Sequence, residues 1–398
     1  MSEKKCPVLD IATVNNAHGH AEAYAEVRAG GPVARSEDLG GYWALLGYSQ
    51  VREAANDTGR LCSGLGSTIP ALGMPFRPIP VEVDPPEHRN YRRILVPELR
   101  PDRMADWEEL TRRKVDEAID TFIESGKGDL NAISRYVPPA VIAAILGVPE
   151  DGSIMVKLTD DINRAATRND AEGKKNANIA LMRFVEKIVT EAEQDQDRED
   201  LLTMIVNAEI DGVPIGHDKA MAMTVTVVVA GQETTVNGIG SALWRLGAHQ
   251  DVKKRLLEDP SLISAAVEES LRLDSPVQMM GRTATADFEL EGVPISKGDR
   301  VGLVWGAANL DPAKFENPEK FDIDRPSNPH VAFGHGIHRC IGEHLARLEM
   351  RVAIEQVLAR MPDFELDGEI EIGTNIPLNR GPKTIPVTFT PGPRVYSA

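Results

Sequence analysis

Phe333-Gly334-His335-Gly336-Ile337-His338-Arg339-Cys340-Ile341-Gly342 is a glycine-spaced loop that delivers one cysteine to the start of a long helix. Neither proline nor glycine interrupts residues 343–361. Leu345, Leu348, Val352, Ile354, Val357 and Leu358 recur there at helical spacing, which predicts an amphipathic helix. Cys340 thus stands near a helix N-terminus, where unpaired backbone N–H groups favour a thiolate and lower its pKa. Gly334 and Gly336 let the backbone pass close to something flat and bulky. Taken alone, such a cysteine also fits an inert, buried residue on a capping loop.

The pattern Phe-Gly-x-Gly-x-His-x-Cys-x-Gly resembles the haem-thiolate loop of the cytochrome P450 family at every fixed position. The resemblance implies that Cys340 is the axial thiolate ligand of haem b, pushing electron density onto the iron and favouring O–O cleavage. It implies a fold that is mainly α with a smaller β-rich part, a triangular prism-like helical domain around the buried haem. It also implies that residues 1–398 form a single haem domain.

Further motifs follow in the family's order. The string from Asp84 to Arg93 opens a helix, with Asp84 as the expected cap and prolines in the first turn. His88 and Arg92, four apart, share one face, and two such donors repel unless an anion sits opposite. A solvated basic face is the plain alternative. By resemblance the anion is the pair of haem propionates, which Arg282 and His338 also meet. Periodicity predicts one unbroken helix over residues 219–249. Gly231 in its middle costs roughly 1 kcal/mol against alanine, which points to close packing. Thr234 can bond back to the Ala230 carbonyl and bend the helix. By resemblance, Ala230-Gly231-Gln232-Glu233-Thr234-Thr235 lies on the oxygen-binding side of the haem. Thr234 then meets the oxygen species and Glu233 helps relay protons, because O–O cleavage needs protons delivered within hydrogen-bond reach in a dry site. Glu269 and Arg272, three apart on a helix, are a weak motif alone. The resemblance joins them to Arg325 as a buried structural set that holds the Cys340 loop.

The rest of the chain is read more simply. A strand is predicted over 42–48, then a short helix over 50–57 capped by Ser49. Residues 103–154 read as helical with breaks at Gly126, Gly128 and Pro138-Pro139. The proline-broken stretch 64–80 carries Ile69, Leu72, Met74 and Phe76, apolar side chains that solvent would waste. By resemblance it covers the substrate, with Val227, Ala230, Val277, Gln278 and Ile376 as further pocket candidates. Their mainly aliphatic character suggests a compact apolar substrate such as a terpenoid, an aromatic or a macrolide-like scaffold.

At 42% hydrophobic, the 398 residues can bury a large core, and the net charge of −17 argues against nonspecific nucleic-acid or anionic-membrane binding. Three cysteines are too few and too scattered for a disulfide framework or a zinc cluster. The N-terminus lacks an apolar signal-like run, and the apolar stretch 221–230 is too short to span a bilayer. A soluble cytoplasmic protein is therefore expected. No further cysteine cluster or nucleotide fingerprint marks a fused redox unit. The resemblance thus implies electrons from a separate iron–sulfur ferredoxin and its NAD(P)H-dependent reductase. Arg92, Arg93, Arg100, Arg112, Arg113, Arg339 and Arg347 are the expected docking patch. The implied reaction is monooxygenation, one oxygen atom of O2 entering an apolar substrate. Two other readings are a peroxide-driven haem-thiolate enzyme, for which the Glu233–Thr234 relay is superfluous, and a non-catalytic haem protein that binds a small ligand.

Overall fold

The computed structural model describes residues 7–10, 20–70, 76–148, 153–155, 157–158, 161, 165, 170–195, 197–375 and 379–396. Leu72, Met74 and Ile376 lie outside the described residues. The helices that position the site are α1 (Tyr48–Asn56), α2 (His88–Leu95), α3 (Met104–Asp120), α4 (Asn131–Ile145), α5 (His217–Ala230), α6 (Glu233–Ala248), α7 (Ile263–Asp274) and α8 (Glu343–Arg360). α6 packs on α4, α7 and α8, and α8 packs on α3. Ile133, Ile239, Leu243, Val352 and Val357 are fully buried in the main core. The predicted apolar stripe of α8 is the face it buries.

Beside the helices lies a five-stranded sheet of β1 (Val33–Ser36), β2 (Tyr42–Leu45), β3 (Leu61–Cys62), β4 (Met280–Ala284) and β5 (Arg300–Leu303), in the spatial order β1-β2-β5-β4-β3. β2 and β5 run parallel, with Gly302 opposite Ala44, and the other pairs are antiparallel. Leu45, Val51, Val301 and Trp305 build a second apolar cluster under it. The fold is mainly α with a smaller β-rich part.

Four local expectations are corrected. Ser49 sits inside α1 rather than capping it; the first N–H of the helix, that of Tyr48, donates to Asp311 Oδ2 at 2.8 Å. The Asp84 carboxylate does not cap α2. It accepts from the backbone of Ser63 and Gly64 at 2.7 and 2.9 Å, and only its carbonyl meets the His88 N–H. Pro138 and Pro139 do not end α4, which runs through both rings while they lie buried. An interior proline costs about 3 kcal/mol, and the fully buried Ile133, Val137 and Val141 on the same helix offset it. Finally, the single helix over 219–249 is two, α5 and α6, parted at Gly231 and Gln232, whose φ and ψ are −104° and −76°. Hydrophobic period cannot register such a break, because the apolar faces on either side stay nearly in phase.

Glu349 on α8 is buried, and neither carboxylate oxygen has a hydrogen-bond partner among the described residues. Burial pushes its pKa well above the ordinary carboxylate value of 4.5. The folded protein therefore keeps a proton that the unfolded chain releases. Stability is expected to fall as pH rises above that ordinary value, by about 1.4 kcal/mol per pH unit until the raised folded value is reached. Glu349→Gln should remove this slope. Urea unfolding of both proteins between pH 5 and 7 checks it, and parallel stability curves would count against a protonated Glu349.

Candidate functional site

Gly334 and Gly336 adopt φ of +73° and +74°, a region that suits glycine. A Cβ at Gly336 would overlap the Ala55 carbonyl oxygen, so the end of α1 presses on the loop there. The Cys340 N–H donates to the Phe333 carbonyl at 2.8 Å and closes the loop on itself. The residue as a whole is exposed, while its thiol is crowded by protein. Burial pushes the thiol pKa up. The Gly342 N–H pulls it down, Glu343 pushes it up, and Arg92 and Arg347 pull it down. Burial thus outweighs the helix N-terminus, contrary to what the position alone predicts. A thiolate here calls for further positive charge, which a coordinated metal ion supplies.

Around this loop stand four donors. His88 and His338 meet edge to face, with ring centroids 4.4 Å apart, and His338 Nε2 lies 3.1 Å from Ser63 Oγ. His88 Nε2 is buried and has no hydrogen-bond partner among the described residues. Burial, then Arg282, His88 and Arg92, hold the His338 pKa down at about 3. Burial and Arg92 lower that of His88. Burial brings Arg282 down to about 10, and it also lowers Arg92. Among the described residues neither arginine has a carboxylate within ion-pair distance. Crowded cations and an orphaned donor are a cost the fold would avoid unless an anion belonged there. Two carboxylates beside a thiolate-bound metal fit this donor set.

The break between α5 and α6 is filled by backbone and hydroxyls. A Cβ at Gly231 would stand 2.6 Å from Ile142 Cδ1, so α4 presses directly on the helix there. Thr234 Oγ1 donates to the Ala230 carbonyl at 2.8 Å, and Thr235 Oγ1 reaches the Gly231 carbonyl at 3.5 Å. Glu233 begins α6, half-buried. Ala230 is exposed and so is Val229, at 41%, an unusual state for a valine inside a helical core. Val229 was missed by pattern reading, since only the break turns it outward. Val227 instead packs partly against the main core.

Ile69 is buried, and a Cβ at Gly281 would lie 2.9 Å from its Cγ1. Phe76 is half-buried against the main core, and Val277 bridges to Asn379. Gln278 has its amide fully engaged: Nε2 donates to the carbonyls of Asp274 and Ser275, and Oε1 accepts from Tyr24. Both of its N–H donors are therefore taken, and its oxygen keeps one free lone pair. Glu269 accepts from both Arg272 and Arg325 at 2.8 Å, all three largely withdrawn from solvent. The proposed arginine patch is mostly neutralised. Arg112 pairs with Glu108 and Glu355, Arg347 with Glu268 and Glu343, Arg339 with Glu343, and Arg100 with Asp102.

A cysteine floor beneath cationic donors, set in a helical body with a β-rich flank, marks a protein that holds a metal macrocycle carrying acidic arms. The family model "Cytochrome P450" matches residues 43–369. The chain is 35% identical over 383 residues to the vitamin D(3) 25-hydroxylase of Pseudonocardia autotrophica, covering 93% of each. It is 33% identical over 387 residues to the steroid C26-monooxygenase of Mycolicibacterium smegmatis, covering 95% of each. The structure of cytochrome P450 CYP109Q5 from Chondromyces apiculatus superposes with a TM-score of 0.87 at 29% identity, covering 97% of this chain and 99% of that one. The chain belongs to the cytochrome P450 family. Its cofactor is haem b, which the family binds through a cysteine thiolate, and the protein is an oxidoreductase of the monooxygenase type. Among the described residues no helix is long and apolar enough to cross a membrane.

Proposed function

We propose that this monooxygenase, as one haem domain, holds haem b through Cys340 and seats the propionates on His88, Arg92, Arg282 and His338. Haem supplies the activation of O2 that no side chain can provide. The chain's own residues bind it, keep water out and deliver protons. Thr234 presents its hydroxyl at the parted helix, tethered to the Ala230 carbonyl at 2.8 Å. Glu233, at the first turn of α6, passes protons from solvent toward that hydroxyl. Val229 and Ala230 offer aliphatic surface and no charge to the substrate. An apolar polycyclic or macrocyclic scaffold suits such a surface. The names of the relatives, a vitamin D(3) hydroxylase and a steroid monooxygenase, support that class. Electrons come from a separate ferredoxin and reductase. Arg93, exposed and unpaired by any carboxylate among the described residues, remains a docking cation where most of its neighbours are neutralised.

The observation that carries the reading is the Thr234 hydroxyl at the break between α5 and α6. Storage of a ligand has no use for it. Thr234→Ala should leave haem content and NADH consumption intact when ferredoxin and reductase are supplied. Oxygenated product per NADH should fall by at least about tenfold, the electrons leaving as hydrogen peroxide. The substrate for this assay is one chosen by its low- to high-spin spectral change. Unchanged coupling, or steady turnover with hydrogen peroxide alone in both proteins, would replace the reading with the peroxide-driven one.

A further inference from the structure

We propose that Arg300 and Glu82 clamp residues 63–69 into a fixed wall of the substrate cavity, so that this pair sets how wide a ligand the enzyme accepts. The proposal rests on the reading of 64–80 as substrate-facing. Arg300 on β5 reaches across β4 and grips the segment by its backbone. Nη1 donates to the Leu65 carbonyl at 3.0 Å and to Thr283 Oγ1 at 2.6 Å, and Nη2 donates to the Thr68 carbonyl at 2.9 Å. Glu82 Oε1 accepts both the N–H and the hydroxyl of Ser67, at 2.7 and 2.9 Å. The Gly281 N–H takes the Ser67 carbonyl at 2.7 Å. The Asp84 carboxylate holds Ser63 and Gly64.

The fit leaves no slack. Gly66 has φ of +113°, and a Cβ there would stand 3.2 Å from Arg300 Nη1. A Cβ at Gly281 would lie 2.9 Å from Arg300 Nη2 as well as against Ile69. Both glycines therefore make room for the guanidinium. Its charge is half-buried, and Glu82 is the first carboxylate that favours it. Charge-assisted bonds in such surroundings are the strong kind.

The segment lies at the rim of the site. Ser63 touches His338, two residues before Cys340, and Ile69 packs on Gly281, next to Arg282. Because every grip is on backbone or on a serine, the Leu65 side chain is left free, while Ile69 anchors the end of the segment against Gly281. Leu65 stands 69% exposed on the clamped turn. A wall preset in this way lowers the ordering cost of binding a wide, rigid ligand and does nothing for a small one. Arg300 and Glu82 are positioning residues in this scheme, not catalytic ones.

The test uses ferric holoenzyme and two azoles that bind iron through nitrogen, imidazole and clotrimazole. In Arg300→Gln and Glu82→Gln, amide exchange over 63–69 should quicken and the ratio of clotrimazole to imidazole affinity should fall, each by about tenfold. Arg300→Lys should recover part of both. Faster exchange with an unchanged or raised ratio would overturn the proposal and leave only a brace. Unchanged exchange would overturn it as well. If Arg300→Gln does not fold, Glu82→Gln decides alone, since it keeps the arginine. Absence of any imidazole shift in the unaltered protein would instead sink the haem-thiolate reading, and the clamp with it.

Discussion

Replacing Cys340 with alanine is expected to abolish turnover, and with it the red-shifted absorption that sulfur ligation gives the ferrous carbonyl complex, while the loop keeps its shape. The loop is held by main chain. Gly334 N–H donates to the Val331 carbonyl at 2.9 Å, Arg339 to Gly336 at 3.1 Å and Cys340 to Phe333 at 2.8 Å. Gly334 and Gly336 supply the two positive φ values. None of these contacts uses the sulfur. In the haem-free protein the substitution should therefore cost only about 1 kcal/mol, the packing of one small side chain. Haem should still bind, more weakly, because His88, Arg92, Arg282 and His338 are untouched. The thiol pKa, pushed up by burial, makes the same point from the other side. This pocket does not stabilise a thiolate by itself, so in the proposed ligation the bond to iron would hold it deprotonated. Carbonyl-difference spectra, haem titration and urea unfolding of the variant make the measurement. A variant that keeps the red-shifted band would remove Cys340 from its place.

The turn of the Cys340 loop was legible because Gly334 and Gly336 mark the two positive φ values it needs. The α8 stripe was legible for the simpler reason that burial imposes helical period. Gly231 announced close packing, and α4 supplies it through Ile142. The back-bond from Thr234 to Ala230 followed from a threonine's reach along a helix. What stayed hidden is what distant residues decide. Asp311 starts α1 from 263 positions away. Asp84 has a suitable side chain for capping α2, yet the loop at 63–64 offers it two backbone donors at once. The Gln278 amide is held by Tyr24, from a remote helix, a partner that its own stretch of sequence does not announce. The arginines looked like a patch because sequence shows cations without the carboxylates opposite them. Arg300 and Glu82 passed unremarked, since nothing in their own neighbourhoods in the chain hints at the segment between them.

Glu269→Ala should destabilise the protein by about 3–5 kcal/mol, the range for breaking a buried ion pair from one side. Glu269 lies fully buried and accepts five donors. Arg272 gives it two bonds of 2.8 Å, Arg325 one of 2.8 Å, Asn328 one of 3.1 Å and the Asp322 backbone one of 3.0 Å. Truncation leaves the Arg272 guanidinium buried without a counter-charge. Its remaining hydrogen bonds go to carbonyls, those of Asn309, Pro318 and Lys320. The damage should travel, because the Asn309 side chain accepts the Val331 N–H at 2.7 Å, just before the Cys340 loop. Loss of haem affinity is therefore expected beside the loss of stability. Glu269→Gln keeps shape and some acceptors while removing the charge, so it should cost less than alanine and more than an ordinary core swap. Combining Glu269→Leu with Arg272→Met should recover part of the loss, since it removes the stranded charge along with its partner. Urea unfolding of the series distinguishes the causes. Partial recovery in the double variant points to uncompensated charge, whereas additive losses would mean that Glu269 acts mainly by filling space.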